Sequence, residues 1–201
     1  MVRTASDMLP LGTVAPGFRL ANAVDGREVA LQDFPAEQPL LVMFVCNHCP
    51  YVVHVRSQFP LLARDYAGQL AVVAINSNSL ATHPQDGPEA MRELAAEQGW
   101  SFPFLFDATQ ETAKAYHAAC TPDFFLFGPA SAHDGLRRLA YRGQLDGSRP
   151  GNEVPVDGRD LRAAIDALLQ GHEPDREQKP SLGCNIKWAP GNEPAHAAGS
   201  R

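Results

Sequence analysis

Two stretches of the chain, residues 40–45 and 70–75, are apolar without interruption. Short unbroken apolar runs read as strands buried on both faces of a sheet. Between them the apolar positions spread out to Val52, Val55, Phe59, Leu62 and Tyr66, the spacing of one helical face. Pro60 falls inside that segment, so a kink or a restart is expected where its missing N–H interrupts the helix. Upstream, residues 12–34 carry two short strand-like pieces around Asp25-Gly26, which predicts a hairpin. Downstream, residues 76–87 read as a polar loop long enough to carry function. Pro88 suits a first helical position, and residues 89–98 continue as a helix closed by Gly99. Residues 102–106 read as extended and 111–117 as a short helix. Residues 123–127 and 136–141 read as a strand pair around a turn at 128–135. Residues 161–169 form a last helix, closed by Gly171. Strands alternating with helices around buried runs predict an α/β sheet covered by helices on both faces.

Past Gly171 the composition shifts to Pro, Gly, Glu and Lys, as in a mobile tail. Within it, residues 181–188 (Ser-Leu-Gly-Cys-Asn-Ile-Lys-Trp) form an island whose Cys, Ile and Trp predict docking on the body. The expected organisation is a single domain over 1–171 and a tail over 172–201 with its docking segment at 181–188. The 201 residues suffice for one core, and no apolar run approaches a membrane span. The net charge of −6, with no block of like charge, argues against nucleic acid or an anionic membrane as partner. Residues 1–11 have no apolar stretch of the signal-peptide kind, so a cytoplasmic protein is expected. Four cysteines in such a chain are no disulfide scaffold; in a reducing compartment they are catalytic, metal-binding or inert.

Two of them, Cys46 and Cys49, flank Asn47-His48 where the first buried strand hands over to the helix that starts near Pro50. A helix start favours negative charge, and thiolates, not thiols, are the nucleophiles and metal ligands. This junction is therefore the candidate site, with His48 able to lower the thiol pKa by its charge when protonated.

The residues also carry a resemblance. The opening Gly12…Ala15-Pro16-Gly17-Phe18…Leu20…Asp25-Gly26…Leu31 resembles the N-terminus of the AhpC/TSA–redoxin branch of the thioredoxin superfamily. Phe44-Val45-Cys46-Asn47-His48-Cys49-Pro50-Tyr51-Val52 and Cys120-Thr121-Pro122-Asp123-Phe124-Phe125-Leu126-Phe127 are similar to signatures of its peroxiredoxin-like, uncharacterised subgroup. Arg142-Gly143, Asp146, residues 148–152 and 183–188 match later ones, so the likeness covers roughly 9–188. It implies a thioredoxin-like α/β fold: a central mixed β-sheet flanked by helices, with an N-terminal β-hairpin extension and a C-terminal tail.

Register against the thioredoxin pattern Phe-Trp-Ala-x-Trp-Cys-x-x-Cys separates the cysteines. With Phe44 on the Phe, Cys49 takes the first cysteine position and Val52 the second, while Cys46 lies upstream in the loop. The resemblance thus implies a thiol–disulfide oxidoreductase with Cys49 as nucleophile and Cys46 as its resolving partner; Cys120 and Cys184 are rivals for the second role. Cys184 is otherwise read as an anchor for the tail. Thr121-Pro122 resembles the cis-proline loop that faces the active cysteine and can pair with an extended substrate. The buried aspartate of thioredoxin maps to Met43, leaving His48 and Asp123 as substitutes for proton transfer. His83 is expected to face solvent. The peroxiredoxin Thr and Arg are absent, which makes a thiol peroxidase the alternative. A second alternative is a copper or zinc protein using Cys46, His48 and Cys49 with His83 or Cys184. No cofactor is expected. The implied partners are a protein or small-molecule disulfide and a thiol electron donor, with a homodimer left open.

Overall fold

The computed structural model describes residues 3–195. Its elements in chain order are β1 (Arg3–Ala5), β2 (Arg19–Asn22), β3 (Glu28–Ala30), β4 (Leu40–Phe44), α1 (Pro50–Val55), α2 (Gln58–Asp65) and β5 (Ala71–Asn76). They continue as α3 (Pro88–Glu97), β6 (Phe104–Phe106), α4 (Glu111–Ala115), β7 (Cys120–Thr121), β8 (Asp123–Phe127), β9 (Leu139–Gly143), α5 (Arg159–Leu169) and β10 (Leu182–Asn185). The last residues of the expected tail, 196–201, and residues 1–2 lie outside those described. Among the described residues no helix is long and apolar enough to cross a membrane.

The main sheet runs β3-β2-β6-β5-β4-β8-β9. Strands β4, β5 and β6 are parallel and the others pair antiparallel, so the sheet is mixed and the fold thioredoxin-like. The hairpin is β2–β3, and Gly26 in its turn has φ 76°, a conformation open to glycine. Strand β4 lies in the interior of the sheet, between β5 and β8, and is wholly buried. Side chains alternate along it: Leu41 and Met43 enter one core with α1, α2, α3 and α5, while Leu40, Val42 and Phe44 enter the other with Tyr116, Phe125 and Phe127. An interior strand with two apolar faces is what an unbroken apolar run encodes.

The helical segment after β4 does restart. The break comes at Arg56 and Ser57, before Pro60. A Pro60 N–H would have bonded the Arg56 carbonyl; that carbonyl accepts from Phe59 N–H at 3.2 Å instead.

A second, smaller sheet has the order β1-β10-β7, all antiparallel. Here the island of the tail becomes a strand, inserted between the N-terminal strand and the loop at Thr121-Pro122. Ile186 and Trp188, 1% and 9% exposed, continue into the core of Phe44 and Tyr116. Burial at roughly 25 cal/mol per Å² makes two such side chains an anchor of several kcal/mol. Gly183 allows the close approach: a Cβ there would meet the Thr121 carbonyl oxygen at 2.0 Å.

Residues 76–87 differ from an ordinary solvent loop. Ser77, Asn78 and Asp86 are buried, and a 3₁₀ turn spans Pro84–Asp86. Ser79 N–H donates to the Lys187 carbonyl at 2.8 Å, and Lys187 N–H donates to Asn78 Oδ1 at 2.9 Å. The loop is thereby stitched to the tail.

Candidate functional site

The end of β4 and the start of α1 set the first part of the site. Cys49 is the N-cap residue of α1, with extended φ/ψ of −63° and 123°, and Pro50 follows in the first turn. Proline is accepted there because that N–H has no helical partner. Valines 52 and 55 bury the inner face of this short helix, which turns Cys49 inward: its side chain is 0% exposed.

The second part is the loop between β7 and β8. The Thr121–Pro122 bond is cis. Thr121 touches both cysteines of the junction: its hydroxyl lies 3.4 Å from Cys46 Sγ, and its carbonyl accepts from the Cys49 thiol at 3.1 Å. Pro122 lines a small cleft with Tyr51, His54, Ser148, Arg149 and Leu182.

The third part is the tail. In the register of β10 on β7, Cys184 is opposite Thr121. Cys184 Sγ then stands 2.7 Å from Cys49 Sγ. The sulfur set against Cys49 is thus that of the residue expected to anchor the tail. Cys46 is also beside Cys49 and hydrogen-bonds to it, so the three sulfurs form one cluster.

This cluster favours one negative charge, resting on Cys49. The Cys184 thiol, the Cys46 thiol and the backbone N–H groups of Val52 and Cys184 all point at its sulfur and hold its pKa well below the thiol range, against the opposing effect of burial. The Thr121 carbonyl, an acceptor, works against ionisation; the converging donors outweigh it. The donors bear the reciprocal effect: Cys184 is pushed up by its hydrogen bond to Cys49 and by burial, and Cys46 by the same two causes.

The remaining expected site residues are placed elsewhere. Cys120 is buried behind the loop with its thiol 3.6 Å from the Pro122 carbonyl, and burial pushes its pKa up. Asp123 pairs with Phe44 across β4 and β8, on the face of Phe125 and Phe127, because side chains alternate. Its carboxylate accepts from Ser6 Oγ at 2.7 Å and Ala119 N–H at 3.2 Å rather than reaching Cys49, which lies in the other core. Burial raises its pKa to about 7. His48 turns to Asp86, with Nδ1 2.8 Å from Oδ1. Its ring stacks on His83 with centroids 5.3 Å apart, so His83 is only partly exposed.

Asp86 is the residue that the reading of the sequence missed. It is fully buried and also accepts from Asn47 N–H at 3.3 Å and Asn78 Nδ2 at 2.8 Å. The signal available was the bracket Pro84-Gln85-Asp86-Gly87-Pro88, which marks a tight turn but not a carboxylate turned inward. Asp146 shapes its own loop, accepting from Ser148, Asp157 and Gly158 N–H groups at 2.8, 2.9 and 2.7 Å.

Comparison with known proteins agrees with this architecture. An uncharacterized conserved protein from Geobacillus kaustophilus is 50% identical, with a TM-score of 0.89 over 94% of this chain and 98% of the other. A hypothetical protein from Sinorhizobium meliloti 1021 is 48% identical, with a TM-score of 0.87 over 94% and 100% of the two chains. A secreted disulfide oxidoreductase from Mycobacterium tuberculosis shares the fold at 15% identity and a TM-score of 0.54, covering 75% of this chain and 96% of its own. A search of curated proteins finds no match. The sequence model of the AhpC/TSA family matches residues 11–132, well over half of the chain, and the protein belongs to that family.

Proposed function

We propose that the protein is a thiol–disulfide oxidoreductase in which Cys49 is the nucleophile and Cys184 the resolving thiol. One observation carries this reading: the two sulfurs stand 2.7 Å apart, with the charge favoured on Cys49. The Cys49 thiolate attacks one sulfur of a substrate disulfide. The bond to that sulfur forms, the substrate S–S bond breaks, and the departing thiolate takes a proton from solvent. Cys184, once deprotonated, attacks Cys49 Sγ and expels the second substrate thiol, which leaves a Cys49–Cys184 disulfide. An external thiol donor returns the two electrons. Cys46 stays reduced in this scheme and donates a hydrogen bond to Cys49.

Because Cys49 is wholly covered, substrate entry requires β10 to lift from β7. A cytoplasmic setting suits the scheme by keeping the thiols available. Thiol peroxidase chemistry is less well supported. Peroxide cleavage calls for donors around the departing oxygen, and the Thr and Arg of the peroxiredoxin pattern are absent from this sequence.

The test is turnover of glutathione disulfide and of a peptide disulfide with a dithiol donor. Cys49→Ser abolishes turnover. Cys184→Ser accumulates a mixed disulfide on Cys49, visible by intact mass, and Cys46→Ser continues to turn over. Turnover that survives Cys49→Ser sinks the proposal.

A further inference from the structure

The strand–helix junction holds a second constellation, in which Cys46 is joined by two residues, His48 and Asp86, that disulfide exchange between Cys49 and Cys184 does not use. Cys46, His48 and Asp86 each offer one ligand atom, and these atoms all lie within 4.8 Å of one another. We propose that they form a divalent-metal site of the zinc class, with one thiolate, one imidazole nitrogen and one carboxylate oxygen as ligands. This regroups the metal set expected from the sequence: Asp86 replaces Cys49, and His83 or a water completes the coordination.

The spacing fits. Zinc bonds sulfur at about 2.3 Å and nitrogen or oxygen at about 2.0–2.2 Å, so tetrahedral ligand atoms stand about 3.5 Å from one another. His48 Nδ1 and Asp86 Oδ1 are already 2.8 Å apart, and all three ligand atoms fall inside 4.8 Å.

Asp86 gives the site its reason. Its carboxylate is fully buried, and among the described residues its ion-pair partner is His48. The other groups that bond it, Asn47 N–H and Asn78 Nδ2, are neutral. A buried carboxylate without a fixed cation is costly, and a bound dication answers that charge.

The outer shell is also built. Asn78 Nδ2 holds Asp86 Oδ2 at 2.8 Å, Asn76 Nδ2 holds the Asp86 carbonyl at 2.8 Å, and Asn76 Oδ1 fixes Asn78 N–H at 3.0 Å. Such partners orient a ligating carboxylate. At the β4–α1 junction, between Cys46 and His48, Asn47 Oδ1 is buried with no hydrogen-bond partner, an oxygen left over where polar groups are otherwise paired. The His48 side chain is 30% exposed and opens the site to solvent. A mixed sulfur, nitrogen and oxygen donor set suits zinc better than calcium or magnesium, which take oxygen, or copper(I), which takes sulfur. Binding replaces the Cys46 S–H bond by a metal–sulfur bond and releases that proton to solvent. The proposal stands whether or not Cys49 and Cys184 exchange disulfides.

The test uses the full chain, reduced and metal-stripped, titrated with Zn²⁺ against a chromophoric competitor and separately with Co²⁺. The expected result is one ion per chain, with a sulfur-to-cobalt charge-transfer band and tetrahedral ligand-field bands. Asp86→Asn and Cys46→Ser weaken zinc by about tenfold or more, and Cys184→Ser leaves affinity unchanged. Since Asp86→Asn disturbs a buried network, His48→Gln at the partly exposed ligand is the second variant, with circular dichroism confirming its fold, and it shows the same loss. No stoichiometric binding to the wild type, or binding lost in Cys184→Ser and kept in His48→Gln, overturns the proposal.

Discussion

Cys184 reaches Cys49 across 135 positions of sequence, and their sulfurs stand 2.7 Å apart. Oxidation of the reduced protein is therefore expected to join Cys49 to Cys184 rather than to Cys46. Proteolytic mapping without reduction checks this, since the crosslink would connect a peptide of α1 to one of the tail. In the chain-entropy picture, closing a loop of this length removes about 5 kcal/mol of unfolded-state freedom. The oxidised form should resist denaturant by up to that amount relative to the reduced form. A Cys46–Cys49 crosslink as the main product would reassign the resolving thiol.

Gly183 makes the approach of the tail possible. A Cβ at that position meets the Thr121 carbonyl oxygen at 2.0 Å and its carbonyl carbon at 2.6 Å, both backbone atoms with little room to yield. Gly183→Ala should push β10 away from β7 and lower stability by about 1–3 kcal/mol, as overpacking does. It should also slow formation of the Cys49–Cys184 bond. Gly17→Ala, where a Cβ meets nothing within 4 Å, is the control and should change neither. Equal crosslinking rates in the two variants would mean that the strand pairing does not set the sulfur contact.

These two cases mark what the sequence discloses. The sheet was legible because its interior strands are apolar on both faces, and the helix restart because Pro60 lacks a donor. The place of Cys49 at the start of α1 was legible from local register: Phe44 precedes it at a fixed distance and Pro50 follows it. The partner of Cys49 was not, because nothing near Cys184 says which strand it pairs with. Its Gly-Cys-Asn-Ile-Lys-Trp context reads equally as an anchor, and Ile186 and Trp188 are indeed one. Asp86 was hidden for a related reason. Its neighbours Pro84 and Gly87 specify a turn, while its burial depends on Asn47, His48 and Asn78, all set by long-range folding. The placement of Asp123 was hidden in the opposite way: adjacency to Pro122 suggested a side chain at Cys49, whereas strand alternation sends it to the face of Phe125 and Phe127.

The charge on Cys49 depends on identifiable donors. The Cys184 thiol has the largest effect and the Cys46 thiol the next. Cys184→Ala should therefore raise the Cys49 pKa the most, Cys46→Ala by less, and neither should raise it above the wholly unassisted, buried value. Ultraviolet thiolate absorbance followed against pH gives the readout. The wild type should keep thiolate well below about pH 8.5, where an ordinary free cysteine ionises. A wild-type transition at or above that pH would remove the case for Cys49 as the nucleophile.

Asp123 predicts a pH dependence of stability that is separate from the thiols. Burial raises its pKa from 3.8 to about 7 in the folded chain. Between those values the unfolded carboxyl is ionised while most of the folded one still holds its proton. The unfolded state then binds fewer protons, so this group makes stability fall as pH rises from about 4 to 7, and its effect levels off above. The full span corresponds to roughly 4 kcal/mol, at 1.36 kcal/mol per unit. Asp123→Asn should lose that slope. It keeps an acceptor for Ser6 or Ala119 but not both, so it should be the weaker protein in acid. Its deficit should shrink as pH rises, and near pH 8 it should equal or exceed the wild type. Denaturant unfolding of both proteins across this range decides the matter: parallel curves would place the carboxylate in a pocket that tolerates its charge.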